Sequence, residues 1–276
     1  MNESEIYALI SLLDDDDIEV REHVLEKILL LGEKILPYLQ SFLKQHPTKE
    51  PLQKVARQIH LQYLAKQLKT WKNTESHDLL KGVWIANLYH QPDLSLEKLQ
   101  KEIEQLFYEA WINFRLNLYP LDEVRILNES FFEKMGFRGN FLNFHAIDNS
   151  LLETVLTTRR GNPISLCILY MLIAQKLRLP IKGANIPNIF MLIYQTPRFQ
   201  FYINVFNGGA ILSQEEVKHY IINELKVPNY PEYYKPCSHV DIVRRVMKNM
   251  QISYEKNQES EKFSEIGSLI THLDIS

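Results

Sequence analysis

The run "PISLCILYMLIAQKLR", residues 163–178, constrains the fold more than any other stretch. It reads as a helix, with Pro163 in the first turn, where a missing N–H is tolerated. It is apolar on nearly all sides instead of along one stripe, so other elements must surround it: the pattern predicts a central buried helix. Its most apolar part, "ILYMLIA" (168–174), falls far short of the ~20 residues that a membrane-spanning helix requires.

The segments around this helix are of two kinds. Downstream, "IKGANI", "IFMLIYQ" and "FQFYINVF" are short β-rich runs. The last two are separated by a turn around Thr196-Pro197-Arg198. "NGG" (207–209) ends the last run in a tight turn that needs positive φ. From Ser213 the chain returns to helices. The Tyr-rich "PNYPEYYKP" (228–236) is expected to wrap the domain as an extended segment, and residues 236–276 read as a helical hairpin with a tetratricopeptide-like pattern.

Upstream of the central run, "LLKGVWIANLYHQPDLSLEKLQKEIEQLF" predicts two helices, the second capped by Asp93 or Ser95, and Asn149 with Ser150 is expected to cap the helix beginning "LLETVL". Polar "WKNTESHD" (71–78) is the expected joint to the N-terminal helices. Those helices carry Ile6, Leu9, Ile10 and Leu13, then Val20, Val24, Leu25 and Ile28, then Leu52, Val55, Ile59 and Tyr63 at helical spacing. Asp14 to Asp17 between the first two reads as a solvated, helix-capping loop, since the ligand spacing and closing Glu of a calcium loop are missing.

With 45% hydrophobic and 24% charged residues the chain fits a soluble globular protein, and 276 residues suit more than one core. The net charge of −3 offers no basic excess for nucleic acid. Two cysteines make neither a disulfide framework nor a zinc site, so no metal or other cofactor is expected. "MNESEIYALI" lacks the basic and apolar regions of a signal peptide. These features point to a cytoplasmic protein with reduced thiols and no membrane partner.

"LISLLDDDDIEVREHVLEKILLLGEKILPYL" resembles a HEAT repeat, a unit that must stack on a neighbour to bury its face. "LNESFFEKMGFRGN" (127–140), "DNSLLETVLTTRRGNPISLCILYMLIA" (148–174), "GANIPNIFML" (183–192) and "INVFNGG" (203–209) together resemble the SirB1 family of transglutaminase-like proteins, over roughly residues 75 to 260. The resemblance implies a central helix packed on a small antiparallel sheet. The expected fold is α+β and mostly helical: a HEAT-like region at 1–70, a transglutaminase-like domain with a helical lead-in at 75–235, and the hairpin at 236–276.

Active members of that superfamily carry a Cys at the start of the central helix, a His on the facing strand and an Asp or Asn on the next. The matching positions are Ser165, Ile189 and Asn204. Ile189 accepts no proton at any pH, and an unactivated serine is a poor nucleophile. No triad chemistry is therefore expected: Ile189 and the missing helix-start Cys point to a non-catalytic interaction or regulatory module with a protein or peptide partner. The alternative is a hydrolase or acyltransferase with a rearranged site, using Cys167 or Ser165 with His145. Cys167 lies two residues on, about 200° around the helix, and is expected to point away from the cleft, towards Tyr170, Met171 and Ala174. Arg160, Asn149 and Asn188 are candidate binding residues.

Overall fold

The computed structural model describes residues 2–45, 50–115 and 118–274. The chain falls into two compact units, Met1–Thr70 and Trp71–Ser276.

The first unit is built from α1 (Glu3–Ser11), α2 (Ile18–Leu31), α3 (Leu36–Gln45) and α4 (Glu50–Thr70). Asn2 and Glu5 form a reciprocal cap on α1. The Asp run acts as a cap: Asp17 Oδ1 accepts the Glu19 amide at 2.9 Å. Ile10, Val24, Ile28, Leu39, Leu52 and Ile59 close one core, following the helical spacing in the sequence.

In the second unit the expected polar joint is instead a π-helical turn, Trp71–Glu75, and it is anchored. Trp71 is wholly buried and its Nε1 donates to the Asp78 carbonyl at 2.8 Å. Gly82 admits the indole, for a Cβ there would lie 2.3 Å from the ring. Three helices follow: α5 (Leu79–Asn87), capped by Asp78; α6 (Leu96–Trp111), capped by Ser95, not Asp93; and α7 (Pro120–Asn128). A short parallel bridge joins β1 (Arg138–Gly139) to β2 (Arg160–Gly161), on either side of α8 (Leu152–Thr158).

Asn149 and Ser150 do not cap α8. Both are buried, and Asn87 supplies the cap from α5: its Oδ1 accepts the Leu152 amide at 2.9 Å and its Nδ2 donates to the Ser150 carbonyl at 3.0 Å. A fully buried side chain from another helix thereby replaces the local one.

The central helix α9 (Pro163–Lys176) is buried at every residue from Pro163 through Ala174, as its all-round apolarity demands. It packs on one face of an antiparallel sheet in the order β3 (Ile181–Ala184), β4 (Met191–Gln195), β5 (Gln200–Asn204), β6 (Ala210–Leu212). No β-rich run in the sequence marks β6, whose three residues follow directly on the Gly208-Gly209 turn. Side chains alternate between faces. Ala184, Met191, Ile193 and Tyr202 form a second layer with Val217 of α10 (Gln214–His219) and with Ile221. "PNYPEYYKP" is not wholly extended: Pro231–Tyr234 form a 3₁₀ turn, and the Tyr202 hydroxyl donates to the Tyr234 carbonyl at 3.1 Å. The tail forms α11 (His239–Lys256) and α12 (Ser260–Thr271), and α11 packs on α5 and α9. The whole is α+β and mostly helical. Among the described residues no helix is long and apolar enough to cross a membrane.

Candidate functional site

Where the resemblance implies a nucleophile, at the start of α9, the structure has a closed cap. Asn162 Oδ1 accepts the Ser165 amide at 3.0 Å, and Ser165 Oγ accepts the Asn162 amide at 3.1 Å. Asn162 Nδ2 also donates to Ser150 Oγ at 2.9 Å. Ser165 is 1% exposed, so its hydroxyl is spent on the helix end. Gly161 is required there, since a Cβ would meet Ser165 Oγ at 2.5 Å.

Cys167 is fully buried, but it faces the sheet: its Sγ donates to the Phe190 carbonyl at 3.5 Å. Burial pushes its thiol well above the ordinary cysteine range, away from the thiolate form that reacts. Cys237, beside Gly183, is pushed up by burial to about 12.

A cavity of about 270 Å³ lies immediately beside this cap. Its polar lining is His145, Asn162, Asn188, Arg245, Asn249 and Ser253; its apolar lining is Phe144, Pro163, Ile164, Phe190 and Ile252. Among the described residues no carboxylate lines it. Asn188 adopts a left-handed backbone conformation (φ 60°) at the cavity edge, which asparagine tolerates better than most residues. Asn149 shapes the rim from beneath: its Nδ2 donates to the carbonyls of Asn143 (2.6 Å) and Phe144 (3.1 Å). That fixes the loop bearing His145, which is exposed.

The cavity thus brings together His145 and Asn188 among the residues singled out in the sequence. Ser165, Cys167, Ile189, Asn204, Arg160 and Asn149 do not line it. Ile189 packs with Met191 and Ile193 in the layer on the far side of the sheet, whereas Phe190 lies at the cavity. Asn204 caps the turn at Val205–Asn207, accepting the Asn207 amide at 3.2 Å. Arg160 is exposed in β2, and its neighbour Arg159 lies over the Phe137 ring at 4.7 Å.

The α11 side of the lining, Arg245, Asn249, Ile252 and Ser253, carries no residue singled out in the sequence. Their spacing of four, three and one residues puts them on one helix face. That polar stripe inside "VRRVMKNMQIS" was the available signal. Ser253 spends its hydroxyl on the Asn249 carbonyl at 3.0 Å. Arg245 Nη1 donates to Asn185 Oδ1 at 3.2 Å, and no described carboxylate pairs with it. Its burial lowers its pKa from the usual arginine value.

This arrangement, a buried helix start against a small sheet, agrees with what sequence comparison finds. A profile of the transglutaminase-like superfamily matches residues 97–248. A UPF0162 protein of Xylella fastidiosa (strain 9a5c) is 27% identical over 194 residues, 68% of this chain and 65% of that protein. One from Vibrio cholerae is 26% identical over 149 residues, 54% of this chain and 55% of its own length. F-box only protein 21 of Mus musculus is 29% identical over 103 residues, 34% of this chain and 16% of that protein. The alignments therefore span just under two thirds of the Xylella relative and about half of the Vibrio one. No solved structure matches at a significant level. With more than half its length matched by that profile, the chain belongs to the transglutaminase-like superfamily.

Proposed function

We propose that this protein is a catalytically silent transglutaminase-like module whose cavity binds a protein or peptide ligand instead of transforming it. One observation carries the reading: neither side chain suited to acyl transfer near the start of α9 lines the cavity. Ser165 is locked in the helix cap, and Cys167 is buried against a backbone carbonyl with its thiol held protonated. An acyl-transfer site needs a nucleophile and a base within hydrogen-bond reach of each other. The assignment to the SirB1 group, the HEAT-like reading of 1–70 and the tetratricopeptide-like reading of 236–276 rest on the sequence patterns quoted above, as does a cytoplasmic location.

The test is incubation with generic amide, ester and amine-acceptor substrates, together with thiol- and serine-directed probes. No turnover is expected, and Cys167 should label only after denaturation. Turnover lost on Ser165→Ala or Cys167→Ala overturns the reading.

A rearranged hydrolase is the second reading, favoured by His145 at the cavity. It requires covalent labelling in the native state that His145→Ala abolishes.

A further inference from the structure

We propose that the cavity captures the C-terminal carboxylate of a peptide with apolar last residues. The inference rests on the binding reading above and names its ligand. Arg245 carries it. A guanidinium offers five N–H donors, and here one described bond, to the neutral amide oxygen of Asn185, uses one of them. The group is partly removed from water and has no described carboxylate to offset that cost. Its neighbours around the cavity are amides, an imidazole and a hydroxyl, with no acid among them. An incoming carboxylate meets the remaining guanidinium donors in the planar, two-point geometry that arginine favours. Asn188 and Asn249 also line the cavity and carry amide donors.

The rest of the lining sets the other end of the ligand. Phe144, Phe190, Ile164 and Ile252 make an apolar pocket, and about 270 Å³ is below the size of sites for drug-sized ligands. It suits one terminal residue, not a long segment. The residues before that terminus have a place to lie. The loop that holds Phe144 and His145 also presents Phe141 and Leu142 to solvent, 67% and 102% exposed. Phe141 and Phe144 are braced on Phe206, with ring centroids at 4.4 and 5.7 Å. The result is an apolar ridge held up beside a cavity with a cationic wall, which matches a chain end carrying apolar side chains and one negative charge.

The probes are N-acetyl-Phe-Leu as the free acid, the same dipeptide with an amidated C-terminus, and N-acetyl-leucine, titrated into ¹⁵N-labelled full-length protein. The free acid should saturate and shift the backbone amides of Ile164, Asn188 and Asn249. The amidated form should bind about ten- to a hundredfold more weakly, the loss expected for removing a charge-assisted contact. Arg245→Gln should produce the same loss. Asn249→Asp, which sets a negative charge in the wall, should abolish binding of the acid while sparing the amide, so misfolding and lost recognition are told apart. Leu142→Ser should weaken the dipeptide more than N-acetyl-leucine. Equal affinity for acid and amide, or undiminished binding by both wall variants, overturns the proposal. N-acetyl-leucine binding as tightly as the dipeptide overturns the assignment to a peptide end in favour of a small carboxylate. Turnover of a substrate would sink the binding reading whatever these titrations show, whereas a missing acid–amide difference would sink this inference with the cavity still chemically silent.

Discussion

At the scale of single residues, the wholly buried polar side chains among the described residues are few, and the groups around them leave some positions little choice. Gly209 is a clear case of a position with one tolerable residue. Its φ is +75°, and a Cβ would lie 2.2 Å from Asn128 Oδ1. That same Asn128 carboxamide donates to the Gly209 carbonyl at 2.9 Å and accepts from the Tyr170 hydroxyl, also at 2.9 Å. Gly209→Ala must therefore strain the backbone and break into a network tied to the central helix. We expect a loss of about 2–4 kcal/mol, read as a lower urea midpoint. His90 gives a pH dependence. Its Nδ1 lies 2.8 Å from the Tyr254 hydroxyl, and burial, then the nearby Lys262 charge, lowers its pKa from 6.5. Below 6.5 the unfolded chain takes up a proton that the folded one refuses, so stability falls as pH drops through that value. Thermal melts between pH 7 and 5.5 should show this fall, and His90→Gln should blunt it.

At the scale of elements, helix ends are where local sequence and tertiary structure part company. Ser95, Ser213 and Ser238 cap the helices that follow them, as their positions announce. α8 has Leu151 at its cap and takes its acceptor from Asn87, 65 residues away. Asn87→Ala leaves a buried amide and a buried carbonyl without partners and should cost about 1–3 kcal/mol by chemical denaturation, whereas Asn149→Ala should leave the end of α8 unaffected and loosen the 140–145 loop instead. Amide hydrogen exchange at Leu152 separates the two: it should accelerate in the Asn87 variant alone. The cap of α9 holds the Ser165 hydroxyl in local hydrogen bonds. Asn162→Ala removes the acceptor of the Ser165 amide and should cost about 1 kcal/mol. The Ser165 hydroxyl keeps its bonds to the residue-162 backbone and the change creates no base, so no turnover should appear.

At the scale of the whole molecule, the two units have separate cores, with Trp71 inside the second. A fragment that starts at Trp71 is expected to melt cooperatively by circular dichroism. Trp71→Ala in that fragment removes a wholly buried indole from against Gly82 and should cost about 3–5 kcal/mol. The sequence by itself determined the buried central helix, three of the four strands of the main sheet, most helix starts and the missing helix-start thiol, because apolar periodicity, capping side chains and residue identity are local properties. It did not reveal which residues meet in the cavity. Ile189 and Phe190 are adjacent in the chain, yet one lies in the layer beyond the sheet and the other at the cavity, and a shift of one residue along an extended segment reverses its faces. Arg245 and Asn249 reach that cavity from a helix some eighty residues beyond the start of α9, and only the packing of α11 on α5 and α9 brings them there. Local pattern sets how a segment buries itself; the long-range fit of buried faces decided what stands opposite it, and with it the chemistry the cavity presents.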